Sequence, residues 1–491
     1  MTSFGLLTLA YTFVELMGQR IVVRSYLVLL LACLILLVVQ WAYPFLPFLN
    51  EYFKNSNFIT YYLKTDDPGI MVAEPIDSSV FDQLDSLPDS TELLADTATV
   101  SDSLPPLAYV DEAWFANDSA VIPDTANLAH LRKFFDALNA LKKDPGKKVR
   151  ISYWGDSMIE GDLITQTIRA KFQKLFGGSG VGFVPYISIT AGFRRTVVHK
   201  FGGPWEYFSL VKNAKMKKAP FGLNGEYMIE EPDSNSSPLY ASFAAPKGKK
   251  GWKQMRLFYG KGSKKAIAMV SLNHNPAQTF PLNDTSLVSQ ILLKDTLINF
   301  ARIQLDSAGN TLFYGVSLES ENGVILDNLS LRGNSGMAQT RISTPMLKGF
   351  NSYLKPDLIV LHFGINVISA STMKYGWYEH AMTRVVRHYQ KCFPQASILL
   401  IGVADKGFKK GDVMVSDPSV YRVLKTQYKV AKKTGVAFWN LYSAMGGEGS
   451  MIEWTEAEKP LANKDYTHLN FRGANAVGNM LYDFLMEANK E

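Results

Sequence analysis

The pattern of apolar and polar positions divides the chain into stretches of distinct character. Ser25 to Tyr43 is an almost unbroken apolar run, with Leu-Val-Leu-Leu-Leu-Ala-Cys-Leu-Ile-Leu-Leu-Val-Val at its centre. About 20 apolar residues suffice for a helix to cross a bilayer. Arg20 and Arg24 precede the run, and Trp41, Tyr43 and Phe45 follow it. The expectation is therefore a transmembrane anchor at 25–43, with residues 1–24 cytoplasmic and everything after it outside. A cleaved signal peptide is the rival reading. Its apolar region is normally shorter and ends at small residues, whereas this one ends in Gln40-Trp41-Ala42-Tyr43-Pro44. Leu6–Met17 either lies on the membrane or forms a hairpin with the span.

Beyond the anchor the periodicity changes repeatedly. Leu128, Leu131, Phe134, Phe135, Leu138 and Leu141 form a helical stripe within Asn127–Lys143. The run opening at Val149 is rich in β-branched and aromatic residues and reads as a strand ending near Gly155. Leu163–Phe176 then reads as an amphipathic helix. Short alternating strands are predicted at Leu239–Ala244, Trp252–Gly260, Ala266–Asn273, Gln290–Leu297 and Phe300–Leu305, separated by Gly, Pro, Asn and Lys turns. The final third alternates strand and helix. Strands are predicted at Pro356–Phe363, Ser397–Val403 and Val436–Leu441, and helices at Trp377–Phe393, Pro418–Gly435 and Asn470–Asn489. Such alternation predicts an α/β domain with a parallel sheet and helices on both faces. The short strands before it predict an inserted β-sandwich-like module.

Composition changes this picture in one place. Asp66 to Asp124 holds fourteen Asp and Glu, no Lys or Arg, and scattered Pro, Ser and Thr. Such a segment buries too little apolar surface to offset chain entropy and predicts a disordered, self-repelling tether over 44–126. The formal net charge of +6 over 491 residues therefore joins an acidic tether to a basic domain. A basic face outside the membrane suits anionic glycan, lipid head groups or envelope polymer, and nucleic acid is not an expected partner. Cys33 and Cys392 suggest no disulfide framework, zinc site or cysteine nucleophile. None of the seven histidines stands at ligand spacing from another, and His380 and His388 read as surface residues of one helix. No metal or cofactor is expected.

The candidate chemistry lies at strand ends. Gly155-Asp156-Ser157 breaks a strand before a helix, at the place where open α/β sheets keep their ligand crevices. A serine hydroxyl needs an imidazole to take its proton, and the imidazole needs an orienting partner. Asp465-Tyr466-Thr467-His468, ahead of the last helix, supplies both residue types. Arg332-Gly333-Asn334 and His362-Phe363-Gly364-Ile365-Asn366 fall at or just after other strand ends, where a backbone N–H and a side-chain amide can face a developing oxyanion.

This four-part arrangement, in this order, resembles the SGNH (GDSL-type) hydrolases. Gly155-Asp156-Ser157 matches their first block, Gly333 the glycine of the second, Gly364 and Asn366 the third, and Asp465 and His468 the last. Val367 stands where the third block usually carries an acidic residue. The resemblance implies a flavodoxin-like sheet, with Ser157 as nucleophile, His468 as base and Asp465 as its orienting acid. It also implies an oxyanion hole from the Ser157 N–H, the Gly333 N–H and the Asn366 side chain. In peptidoglycan O-acetylesterases resembling this chain, a carbohydrate-binding-like module is inserted between the first two blocks.

The expected organisation is thus a first hydrolase part at 127–180, the module at 181–317 and a second hydrolase part at 318–491. Trp205, Tyr207, Trp252, Phe258 and Tyr259 are candidates to stack on sugar rings, although each reads first as core. The resemblance implies an esterase removing O-acyl, chiefly O-acetyl, groups from envelope glycan such as peptidoglycan, anchored in a bacterial inner membrane and facing the periplasm. Two alternatives stay open: an O-acetyltransferase using the same triad, and a non-catalytic glycan-binding protein.

Overall fold

The computed structural model describes residues 122–231, 239–282, 285–372 and 374–490. The expected anchor at 25–43 and nearly all of the expected tether lie outside these residues. Among the described residues no helix is long and apolar enough to cross a membrane. The folded chain already includes Ile122, which is buried, and β1 (Thr125–Ala126), so the expected tether boundary at 126 moves back. The reason is local. Ile122 finds a place in the core, and Asp124 accepts the Asn440 backbone N–H through its carbonyl at 2.8 Å.

A 3-10 turn at Leu128–Leu131 leads into α1 (Arg132–Lys143), whose buried Phe134, Phe135, Leu138 and Leu141 are the stripe seen in the sequence. β2 (Lys148–Gly155) follows and is buried on both faces after its first residue. The next helix, α2 (Thr165–Phe176), starts later than predicted from Leu163. Between them Ser157–Asp162 forms a separate 3-10 turn, kinked at Glu160 and Gly161.

Eleven strands come next: β3 (Gly180–Pro185), β4 (Val198–Gly202), β5 (Trp205–Ser209), β6 (Glu226–Glu230), β7 (Leu239–Ala244), β8 (Trp252–Tyr259), β9 (Ile267–Leu272), β10 (Gln278–Pro281), β11 (Ser289–Ile298), β12 (Phe300–Asp306) and β13 (Phe313–Glu319). They form two antiparallel sheets, ordered β10-β9-β12-β7-β4 and β11-β8-β13-β6-β5, with β3 added along β13. Alternate residues of the first sheet, such as Ala241, Phe243, Val270 and Ile303, share a core with Met255, Leu257, Val316 and Leu318 of the second. The second sheet is covered on its other side too. Phe183, Phe258 and Tyr314 meet Phe350, on a helix that packs over the parallel sheet's layer, at ring separations of 5.4–6.4 Å. This middle position explains why β13 is buried along its whole length and shows no alternation. It also places Trp252, Phe258 and Tyr259 in the core, out of reach of any sugar. Trp205 is half-buried against Tyr186 and Phe313, and Tyr207 donates its hydroxyl to Glu226.

The chain then returns to the sheet that contains β2 with β14 (Gly323–Ser330), α3 (Thr344–Leu354), β15 (Leu358–His362), α4 (Gly376–Cys392) and β16 (Ser397–Ile401). β17 (Gly407–Lys410) and β18 (Val413–Ser416) follow as an antiparallel hairpin. α5 (Val420–Thr434), β19 (Ala437–Trp439), the short α6 (Leu441–Met445) and α7 (Ser450–Glu456), and finally α8 (Phe471–Ala488) complete the fold. The sheet order is β1-β19-β16-β15-β2-β14, with β1 antiparallel at the edge and the other pairings parallel. Numbered among themselves, the parallel strands run 2-1-3-4-5, the flavodoxin-like order whose ligand crevice opens between strands 1 and 3. Those strands are β2 and β15. On α4, His380 is exposed, but His388 is half-buried and its Nε2 lies 2.8 Å from the Ile342 carbonyl, so it is not the surface residue expected.

A buried ionic cluster ties module to sheet. Arg150 of β2 binds Asp327 of β14 at 2.6 Å and Glu319 of β13, and Glu319 also takes Lys148 at 2.9 Å and Arg256 at 2.7 Å. Burial alone would raise the Glu319 carboxyl, but its three cationic neighbours hold it well below its usual range. Removing one partner of such a cluster strands the others without counter-charge. Arg150→Met is predicted to destabilise the folded chain by about 3–5 kcal/mol, measured by urea denaturation. A loss within about 0.5 kcal/mol, the range of an ordinary surface change, would contradict this account of the junction.

Candidate active site

Strand register brings the site together. Gly155 of β2 lies beside Ser330 of β14 on one side and His362 of β15 on the other. The three chains therefore leave the sheet side by side, and Ser157, Gly333 and Asn366 follow those strand ends directly. Asp156 shapes the first turn: its Oδ1 accepts the Met158 N–H at 3.0 Å, capping the 3-10 turn that Ser157 begins. The amides near Ser157 thus belong to this short turn and not to the start of α2. Gly364 makes the third turn with a φ of +124°, and the Gln427 side chain packs where a β-carbon would stand. Gln427 then bridges two strand ends, donating to the Phe363 carbonyl at 2.7 Å and accepting the Val403 N–H at 2.8 Å.

Ser157 is 4% exposed. Its Oγ lies 2.8 Å from His468 Nε2, and His468 Nδ1 lies 2.7 Å from Asp465 Oδ2. A carboxylate at Nδ1 selects the tautomer with its proton there and leaves Nε2 to accept from the serine. The other Asp465 oxygen takes the backbone N–H groups of Thr467 at 3.0 Å and His468 at 2.9 Å. Burial pushes the Asp465 carboxyl up, but the bonds from His468 and Thr467 outweigh it and hold the group below its ordinary value. The acid three residues before the histidine therefore folds back on its own loop, as that spacing allows.

Around Ser157, neither its own N–H nor that of Gly333 has a backbone acceptor among the described residues. The Asn366 amide is engaged: Nδ2 donates to Asp156 Oδ2 at 3.1 Å and to the Asn334 carbonyl at 3.2 Å. An oxyanion bound at Nδ2 would have to share or displace the Asn334 contact, because the two bonds occupy both amide protons.

Three residues of the site went unassigned from the sequence. Asp156 stood inside the first motif but carried no assigned role, and its signal was its cap position before the turn. Lys406 is half-buried, with Nζ 3.4 Å from the Ile368 carbonyl; burial lowers its ammonium, against the pull of Asp417 and Asp465. Its signal was the basic stretch on this side of the sheet. Asp162 is fully buried and holds Arg169 in a bidentate pair at 2.6 and 2.8 Å. Its only sequence signal was an acid near a helix start.

No protein-family model matches the sequence, and no curated protein matches it. Solved structures do. Sheet order, strand-end motifs and structural likeness together give this chain the fold of the SGNH-type esterases. It is similar to a peptidoglycan O-acetylesterase at 20% identity, over 75% of this chain and 99% of that one, with a TM-score of 0.61. Weaker likenesses are to a family two carbohydrate esterase from Cellvibrio japonicus (10% identity, 64% and 99% covered, TM-score 0.24) and one from Clostridium thermocellum in complex with cellohexaose (11% identity, 59% and 98% covered, TM-score 0.26).

The Asp156 carboxyl is pushed up to about 7 by burial, which outweighs the Met158 and Asn366 bonds and the nearby His468. A carboxyl raised on folding keeps its proton better in the native state than in the unfolded chain. Its contribution to stability therefore falls as pH rises from the unfolded value of 3.8 to about 7, and is level above that. Asp156→Asn is predicted to flatten this part of the curve. Urea denaturation of both proteins at pH 5 and pH 8 measures it, and parallel losses in the two would contradict the assignment.

Proposed function

We propose that the protein is a serine esterase that removes O-acyl, chiefly O-acetyl, groups from a cell-envelope glycan such as peptidoglycan. The observation that carries this reading is the continuous chain from Ser157 Oγ through His468 to Asp465, with bonds of 2.8 and 2.7 Å. In the first step Ser157 Oγ attacks the ester carbonyl carbon and its proton passes to His468 Nε2. The tetrahedral oxyanion is received by the Ser157 and Gly333 N–H groups and the Asn366 amide. On collapse the sugar oxygen leaves with the proton from His468, and an acyl-Ser157 ester remains. Water, deprotonated by the same imidazole, then releases the carboxylic acid and restores the serine. Asp465 stays ionised throughout and steadies the imidazolium. Each oxyanion donor of this type is worth about 3 kcal/mol in the transition state. The likeness in fold to a peptidoglycan O-acetylesterase supports the choice of ester and polymer.

The reading includes an address. Ser25–Tyr43 anchors the chain in the inner membrane, the acidic stretch gives reach, and the esterase domain faces the envelope outside. The inserted β-module engages the glycan, and the basic balance of the folded domain favours an anionic polymer.

Acetate release from O-acetylated peptidoglycan is the test. The full-length protein is predicted to release acetate, and Ser157→Ala to lower the rate by about 10⁴-fold or more. Acetyl groups passed to a sugar acceptor with no free acetate, or release that survives Ser157→Ala, would contradict the reading.

A further inference from the structure

The β-module sends two loops to the edges of the catalytic turn. The first, residues 186–197 between β3 and β4, is fixed by a buried anchor. Asp162 takes Arg194 at 3.4 Å and Thr196, in addition to its pair with Arg169, and Arg194 Nε donates to Thr196 at 3.0 Å. Asp162 lies in the turn that starts at Ser157, so the loop is tied to the nucleophile's own segment. The second loop, after β5, is held by Arg341, which donates to the carbonyls of Leu210, Asn213 and Met216 at 2.8–2.9 Å. It sets Val211 beside Gly333, with the methyl Cγ1 3.6 Å from where a β-carbon of that glycine would stand.

The first loop presents an unusual surface. Phe193 is 42% exposed and Ile189 81% exposed, though both sit on a loop that is firmly anchored. The Phe193 ring lies over Gly161, where a β-carbon would come within 2.1 Å of it. It packs on Phe471 at a centroid distance of 4.9 Å, and the exposed Arg195 lies with its guanidinium 3.6 Å from the Phe471 centroid. Gly161 is in the Ser157 turn and Phe471 opens α8 just after His468. One wall of the site is therefore the exposed Phe193 ring backed by Phe471, with the Arg195 guanidinium stacked over the Phe471 face, built half by the module and half by the catalytic domain.

We propose that Phe193, backed by Phe471 and Arg195, forms the sugar-binding wall of the active site: a pyranose ring next to the acylated position stacks on the exposed Phe193 ring, with a glycan carboxylate at Arg195. This rests on the esterase reading above and names how its substrate is held. An exposed ring face offers a pyranose apolar C–H contact, and a guanidinium gives a carboxylate a planar two-point partner. Core aromatics such as Trp252 and Phe258 cannot serve, because they are enclosed between layers. The module thus acts through the loop it lends to the triad, which makes it a determinant of specificity.

The experiment compares Phe193→Ala and Phe193→Trp in the full-length chain. Binding of O-acetylated peptidoglycan fragments is measured on the Ser157→Ala background by calorimetry. Hydrolysis is measured as the ratio of kcat/KM on those fragments to kcat/KM on a small soluble acetyl ester. Phe193→Ala is expected to weaken binding at least tenfold and to lower the ratio at least tenfold, and Phe193→Trp to restore both. Arg195→Gln is expected to remove the salt-sensitive part of binding. Equal binding with Phe, Ala and Trp at this position, or an unchanged ratio, overturns the proposal. If no ester is hydrolysed at all, the esterase reading fails while the binding comparison still decides whether the wall holds sugar.

Discussion

The parallel register at Gly155 is the constraint from which the rest of the site follows. A parallel pair fixes which residues end level with one another, and here Ser330, Gly155 and His362 end level across β14, β2 and β15. The chain has then only to turn within a few residues of each end for a hydroxyl and two amide donors to share one crevice. The fourth component comes from further away. The Asp465–His468 loop is held at this end of the sheet partly by the β17–β18 hairpin, whose Gly407 N–H donates to the Tyr466 carbonyl at 2.7 Å. Without the switch in strand order between β2 and β15, the groups that surround Ser157 would lie on opposite sides of a strand.

Asp156 connects two of these turns. One oxygen caps the turn at Met158 and the other holds the Asn366 amide. The Ser157 turn and a proposed oxyanion donor are thereby adjusted together, since a shift of the Asp156 side chain moves both. The Asn366 amide is fully used at rest, so an oxyanion bound at Nδ2, as proposed, would exchange partners there and not fill a vacant donor. An exchange of this kind discriminates between ground state and transition state, because only a developing negative charge competes well with a carbonyl for the proton.

Much of the catalytic domain could be read from the sequence because its strands and helices carry clean periodic signals. The stripe of α1 and the apolar runs of β15 and β16 are buried as their patterns require. Short motifs marked the strand ends because glycine, serine, asparagine and aspartate are the residues that turns favour. β13 went unread because both its faces are covered, which erases the alternation that identifies a strand. α3 was also unread, although Ser343 caps it, Pro345 lies in its first turn and Met346, Leu347, Phe350 and Leu354 form its buried stripe. The wall built by Phe193 and Phe471 had no sequence signal at all. It arises from contact between segments far apart in the chain, and neither residue lies in a motif.

The central claim is that His468 makes Ser157 a nucleophile. An alkyl fluorophosphonate tests it without any assumption about substrate, because an activated serine displaces fluoride and keeps the phosphonyl group. Intact-mass and peptide mass spectrometry of the full-length protein should find one adduct, on Ser157, and His468→Ala should slow its formation by about 10²-fold or more. An unmodified Ser157, or labelling at the same rate in His468→Ala, would contradict the account.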